Sequence, residues 1–368
     1  MTNLLHHFTS TTAGLSVTWT NGAETLFPWF WLRDHGEDAI SLDQTTQQRK
    51  IDTFAIDPAI RAQRVILSPD QRYLELDWPE HTQSLISIAR LADCAGLIEA
   101  PLRSLWQAGS LPDPLPQIDY AEIAAGDVGV RDWLQLIQRW GFALIHNTRA
   151  SEDGTRQLAE HIAPAQHTIF GSYWKLAAEL REHADTAYST QYLAPHTDAT
   201  YYHDAPGLQL FNCLEFEGSG GESVLVDGFA IARTLQQQSP EHYAVLSQVE
   251  VPGQYLDNGV NLQTERPVLR HDRKGRLLQV SFNNYDRAPF LLPPADMAAF
   301  YAAYSAFNRH VLDQRNWLKI PLRPGMALIL DNWRCLHGRM GYTGKRVFYG
   351  CYHNRADYDS RLRTLTNP

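Results

Sequence analysis

The chain carries only four cysteines, Cys94, Cys213, Cys335 and Cys351, scattered without paired spacing. That excludes a disulfide framework and fits a reducing, cytoplasmic compartment. A basic excess is also missing. Lysine and arginine total 32 against 41 acidic residues, a formal net charge of −9, which argues against nucleic acid or an anionic membrane as main partner. No apolar run approaches the length of a membrane span. The first ten residues lack a basic flank followed by an apolar stretch, so no secretory signal is expected. There is no internal repeat and no low-complexity tract.

What is present reads as a globular chain. At 368 residues, 44% hydrophobic and 20% charged, it has the material for one large domain or two unequal ones. The first hundred or so residues read as short strands and turns. Leu15 to Thr20 alternates, Asn21-Gly22 turns, and Thr25 to Leu32 resumes, the pattern of a hairpin. Val65 to Leu67 and Tyr73 to Trp78 form a second hairpin around Ser68-Pro69-Asp70, and Leu85 to Leu91 reads as a short helix. Pro112, Pro114 and Pro116 make Leu111 to Ile118 an extended connector, where the domain boundary is placed.

Beyond the connector, Trp133, Leu134, Ile137 and Trp140 recur at helical spacing, Gly141 ends the helix, and Phe142 to Ile145 is a buried strand. Leu208, Leu210, Asn212, Leu214 and Phe216 share a strand face, Gly218 to Gly221 turns, and Ser223 to Val226 is the next strand. A helix is expected over Phe229 to Leu235 and a longer one over Ala295 to Leu312. Ala327 to Asp331 and Arg346 to Tyr352 complete the strands. The expected fold class is mainly β with flanking helices: a double-stranded β-helix (jelly-roll) domain over 111–368, preceded by a small β-rich domain over 1–110.

One pattern carries chemistry. His196 and Asp198 are two positions apart, so on an extended segment both point the same way. With a distant His337 they can hold one face of an octahedral Fe(II) and leave the opposite face open. Arg346, shortly after His337, offers a guanidinium fork suited to the far carboxylate of 2-oxoglutarate. In isolation the His-x-Asp triplet is as consistent with a solvated turn, since 15 histidines and 41 acidic residues produce such triplets by chance. The bland reading of Arg346 is an exposed salt bridge, which its place after His337 makes the lesser one.

The surrounding motifs decide between these readings. Pro195-His196-Thr197-Asp198 is followed by Pro206-Gly207-Leu208-Gln209-Leu210, by Gly220-Gly221-Glu222-Ser223 and by Asp331 to Arg339, while Trp31-Leu32-Arg33-Asp34 stands near the start. In this order they resemble the γ-butyrobetaine and trimethyllysine dioxygenase family, within the taurine-dioxygenase-like iron/2-oxoglutarate oxygenases. The resemblance spans nearly the whole chain. It implies His196, Asp198 and His337 as iron ligands, Arg346 gripping 2-oxoglutarate, and Ser223 assisting with its hydroxyl. It further implies hydroxylation with release of succinate and CO2, stimulation by ascorbate, and a homodimer.

Phe170, Trp174, Tyr188 and Tyr352 fall where this family places aromatics around a trimethylammonium group. Such a cation donates no hydrogen bond, so aromatic faces suit it. Three positions depart from the butyrobetaine enzymes. Phe170 stands where tyrosine is usual. His35 to Ser41 lacks the zinc-binding cysteines that some members carry, so no zinc is expected. Asp185 stands where asparagine is usual, and an ionised Asp repels a substrate carboxylate. These departures resemble a bacterial branch that hydroxylates [2-(trimethylamino)ethyl]phosphonate beside phosphorus, in organophosphonate breakdown. Asn283, Asn284 and Arg287 are candidates for the anionic end. The expected function is therefore hydroxylation of that phosphonate. The alternatives are γ-butyrobetaine hydroxylation to L-carnitine and, in a different class, a non-catalytic betaine-binding jelly-roll protein.

Overall fold

The structure, a computed structural model, describes residues 4–79, 81–98, 103–177 and 189–366. Two units divide the chain, Met1–Ala100 and Pro101–Pro368. None of the described helices is long and apolar enough to cross a membrane.

The first unit holds two three-stranded antiparallel sheets. Gly14–Trp19 and Glu24–Pro28 pair across Asn21-Gly22, with Leu5–Ser10 added at the side. The second sheet is Arg64–Leu67, Tyr73–Asp77 and Gln83–Ser87. Leu15, Val17, Trp19, Phe27, Leu74, Leu76 and Ile86 fill the core. Two expectations are corrected. The run expected as one strand to Leu32 ends at Pro28, and Trp29–Asp34 is a helix burying Trp29, Leu32 and Arg33. Proline has no N–H to extend the ladder, and its fixed φ suits a helix entrance. Leu85 to Leu91, expected as helix, is split. Ser84 and Ile86 point inward from the strand, and a helix begins only at Ile88, where the Ser87 hydroxyl accepts from the Arg90 N–H.

The second unit is a jelly roll. Its larger sheet runs Gln117–Asp119, Phe142–His146, Met326–Asp331, Leu208–Gly220, Tyr342–His353, Tyr173–Leu176. Its smaller sheet runs Leu193–His196, Cys335–Arg339, Ser223–Asp227, Leu318–Ile320. All neighbours are antiparallel except the first pair of the larger sheet. Strand side chains alternate between faces, and here both faces are used. Leu144, Leu328, Leu330 and Phe348 meet Leu225, Ile320 and Cys335 between the sheets. Outside the larger sheet, Ala143, Ile145, Leu208 and Leu210 take helix Asp127–Trp140 through Trp133, Leu134 and Ile137. Outside the smaller sheet, Val224, Val226 and Leu336 take helix Pro294–Leu312 through Phe300 and Phe307.

The expected turn at Gly218 to Gly221 is shorter than the sequence suggests. The strand runs on to Gly220 because its long partner supplies hydrogen bonds as far as Tyr342. The hairpin Glu250–Asp257 with Val260–Pro267 has no counterpart in the sequence reading, although Asn258-Gly259 marks its turn.

Candidate active site

Alternation also aims the polar side chains. Leu336 points out to the helix, so Cys335, His337 and Arg339 point between the sheets. Ser223 and Leu225 do the same on the adjacent strand, opposite Arg339 and His337. On the facing sheet Leu208, Leu210 and Cys351 pack outward. That leaves Gln209, Phe211, Arg346, Phe348 and Tyr352 facing in. One cavity is lined by Phe170, Trp174, His196, Asp198, Gln209, Ser223, Asn283, His337, Arg339, Arg346 and Tyr352, among others.

His196 is the last residue of its strand and pairs with His337 across the ladder. The chain then leaves the sheet, so Asp198 reaches the same spot from a loop rather than from a continued strand. The Thr197 N–H donates to the Phe282 carbonyl at 2.8 Å, and Asp198 N–H donates to the Asn332 side chain at 2.8 Å. Ala199 turns the chain with a φ of 59°. As a result Asp198 Oδ1 lies 3.2 Å from His196 Nε2 and 3.7 Å from His337 Nε2.

Three donor atoms within 4.8 Å of one another could hold a metal ion. Ligands at right angles on an ion roughly 2.1 Å away stand about 3 Å apart, so the set fits an octahedral face. His196 Nδ1 faces the Ala194 carbonyl at 2.8 Å, which fixes that nitrogen as the donor and leaves Nε2 for a metal. Burial would raise the Asp198 carboxyl, but the His337 and His196 imidazoles and the Tyr352 hydroxyl hold it well below the usual carboxylate range. Burial lowers His337 to about 4, while Asp198 outweighs burial at His196 and raises it. The carboxylate thus demands one compensating positive charge, and a divalent cation reaching all three donors supplies it.

Arg346 is the second feature. It is 8% exposed, and burial lowers its guanidinium to about 10, with Arg339 adding to the effect. Among the described residues no carboxylate pairs with it, and its Nε has no hydrogen-bond partner. It stacks 4.0 Å above the Phe348 ring. Gly221, with a φ of 71°, leaves the room: a Cβ there would sit 3.2 Å from Arg346 Cδ. A buried cation that no described carboxylate balances favours an arriving anion, and the cavity opens on it.

The third feature is an aromatic wall. Trp174 lies directly opposite Gly350 on the neighbouring strand, and a Cβ at Gly350 would collide with the indole and the Leu210 carbonyl. Trp174 packs 5.6 Å from Tyr352 and 5.2 Å from Phe211, ring centre to ring centre. Phe170 enters from the side, 5.7 Å from Tyr255. Tyr201 packs against Tyr255 at 5.0 Å and also lines the cavity, while the Tyr202 hydroxyl accepts from the Ile169 N–H beside it.

Two consecutive segments of the chain match separate family models. "Taurine catabolism dioxygenase TauD, TfdA family" covers residues 100–352, and "Gamma-butyrobetaine hydroxylase-like, N-terminal" covers 7–93. The chain belongs to the TauD/TfdA dioxygenase family. The trimethyllysine dioxygenase of Meyerozyma guilliermondii is 32% identical to it, over 99% of this chain and 97% of that one. The mitochondrial trimethyllysine dioxygenase of Gallus gallus is 33% identical, over 93% and 84%. The γ-butyrobetaine dioxygenase of a Pseudomonas species is 28% identical, over 96% and 94%. This TauD/TfdA member is an iron- and 2-oxoglutarate-dependent dioxygenase.

The oxygenase brings nine of the sequence-predicted site residues to one cavity: His196, Asp198, His337, Arg346, Ser223, Phe170, Trp174, Asn283 and Tyr352. Asn284 and Arg287 do not line it. Arg287 Nε donates to Asn284 Oδ1 at 3.3 Å, and its guanidinium lies over Tyr301 and Tyr304, away from the cavity. Asp185 and Tyr188 lie outside the described residues. Sequence reasoning missed Gln209, Arg339 and Asp286. Gln209 had a weak signal, a polar residue between the apolar Leu208 and Leu210 at the buried start of its strand. Arg339 had one too, sharing the face of His337 two positions on.

Proposed function

We propose that the oxygenase hydroxylates a trimethylammonium amino acid at an iron held by His196, Asp198 and His337. Arg346 and Ser223 bind the distal carboxylate of 2-oxoglutarate. The observation that carries this reading is the buried Arg346, paired with no carboxylate among the described residues, opening on the same cavity as the three ligand atoms and the aromatic wall. Iron, when bound, couples decarboxylation of 2-oxoglutarate by O2 to insertion of one oxygen atom into a substrate C–H bond. The protein positions the partners. Phe170, Trp174 and Tyr352 offer ring faces to a cation that cannot hydrogen-bond. The sheets on either side keep bulk water from the reacting carbon.

The phosphonate expected from the sequence finds no support among the relatives, whose names specify trimethyllysine and γ-butyrobetaine. Cavity chemistry also favours an amino acid. The Asp286 carboxylate accepts from Asn283 Nδ2 at 2.8 Å, and both residues line the cavity. A carboxylate beside an amide suits an α-ammonium next to an α-carboxylate. On this reading trimethyllysine is preferred, and γ-butyrobetaine, which has no ammonium of that kind, is the second choice.

Trp174→Ala is expected to weaken trimethylammonium binding by about 1–2 kcal/mol, or roughly 5- to 30-fold, the size of a desolvated cation–π contact. Titration calorimetry on the metal- and 2-oxoglutarate-loaded protein measures it. A neutral isostere with carbon in place of nitrogen should show little change between wild type and variant. Equal losses for cation and isostere would make the indole a packing residue instead.

A further inference from the structure

Asp198 has two carboxylate oxygens, and the structure treats them differently. Oδ1 faces both histidines, 3.2 Å from His196 Nε2 and 3.7 Å from His337 Nε2. Oδ2 faces the other sheet, where it accepts from Gln209 Nε2 at 2.7 Å and from the Tyr352 hydroxyl at 2.8 Å. Gln209 and Tyr352 are direct cross-strand partners, so one rung of the ladder delivers both donors. The Asn332 side chain meanwhile fixes the Asp198 backbone, accepting from its N–H at 2.8 Å and donating to its carbonyl at 3.2 Å.

We propose that Gln209 and Tyr352 are positioning residues: a cross-strand clamp that occupies Asp198 Oδ2 and restricts this ligand to one-oxygen coordination. The proposal rests on the reading of His196, Asp198 and His337 as iron ligands. A carboxylate chelating through both oxygens would take one of the three positions that the keto acid and O2 require. Two donors on Oδ2 use up its in-plane lone pairs and leave Oδ1 alone for the metal. The Gln209 amide is held there at some cost. It is 2% exposed, and its Oε1 has no partner among the described residues. The opposite orientation would set an amide oxygen against a carboxylate, so the donating NH2 belongs on the Asp198 side. Tyr352 adds a link outward, since the ring that carries the hydroxyl also forms the aromatic wall with Trp174.

The test uses full-length Gln209→Leu, Tyr352→Phe and the double variant. Fe(II) affinity is measured without oxygen, together with the absorption spectrum of the Co(II)-substituted protein and the ratio of succinate to hydroxylated product. Each single variant is expected to lose about 10-fold in metal affinity and the double about 100-fold, the range for partners that orient a metal ligand. The Co(II) bands should shift and succinate should exceed product, signs that a purely structural residue would not give. Tyr352→Phe keeps the ring, so it reads the hydroxyl even if Gln209→Leu folds poorly. Wild-type metal affinity and Co(II) spectrum in both single variants, with metal lost in Asp198→Ala, would overturn the clamp. Wild-type metal affinity in Asp198→Ala would overturn the iron reading beneath it.

Discussion

Replacing Asp198 by alanine is expected to reduce substrate-dependent succinate formation more than about 100-fold, beyond the loss typical of residues that only orient a ligand. The carboxylate is the sole anion among the three donors, and its removal leaves two imidazoles. They would then have no charge to balance a divalent ion, and the open face would lose its third anchor. The fold should survive. Asp198 sits on a cavity wall rather than in a packed core, and water there can accept from Gln209 and Tyr352 in its place. Near-wild-type circular dichroism with metal binding lost is the expected pair of results. Wild-type succinate yield would remove Asp198 from the metal site.

Arg346→Ala has the second largest expected effect, confined to the co-substrate. Truncating one partner of a buried charge pair costs about 2–5 kcal/mol, so the apparent requirement for 2-oxoglutarate should rise from roughly 30-fold to several thousand-fold. The requirement for the trimethylammonium substrate should change far less. Stability moves the other way from intuition. Without 2-oxoglutarate the variant should melt no lower than wild type, because it lacks a buried cation that no carboxylate among the described residues balances. Added 2-oxoglutarate should raise the melting temperature of wild type and not of the variant. A variant whose substrate requirement rises more than its 2-oxoglutarate requirement would show that the two subsites are exchanged.

Much of this site was legible in the sequence because its motifs stand in an order that resembles a known family. The resemblance of the ordered motifs named His337, Ser223, Arg346 and Tyr352, and in the structure alternation about outward-facing Leu336 and Cys351 turns these side chains inward. Long helices with continuous apolar faces, such as Pro294–Leu312, were equally plain. Other features depend on contacts that local pattern does not encode. Asp198 reaches His196 through a loop that Asn332 and Phe282 hold, and no periodicity in the triplet reveals those partners. Asn284 and Arg287 read as anion binders by type, yet one residue's difference in position sends Asn283 into the cavity and its neighbour outward. The weak signal at Gln209 did not reveal its cross-strand partner Tyr352, a pairing distant in sequence.

The most direct test of the account is hydroxylation, with succinate release, by the Fe(II)-loaded protein given 2-oxoglutarate and O2. Trimethyllysine, γ-butyrobetaine and [2-(trimethylamino)ethyl]phosphonate are compared side by side. Trimethyllysine is expected to give matched yields of succinate and hydroxylated product, with γ-butyrobetaine slower and the phosphonate slowest. Turnover of the phosphonate alone, or no substrate-dependent succinate with any of the three, would contradict it.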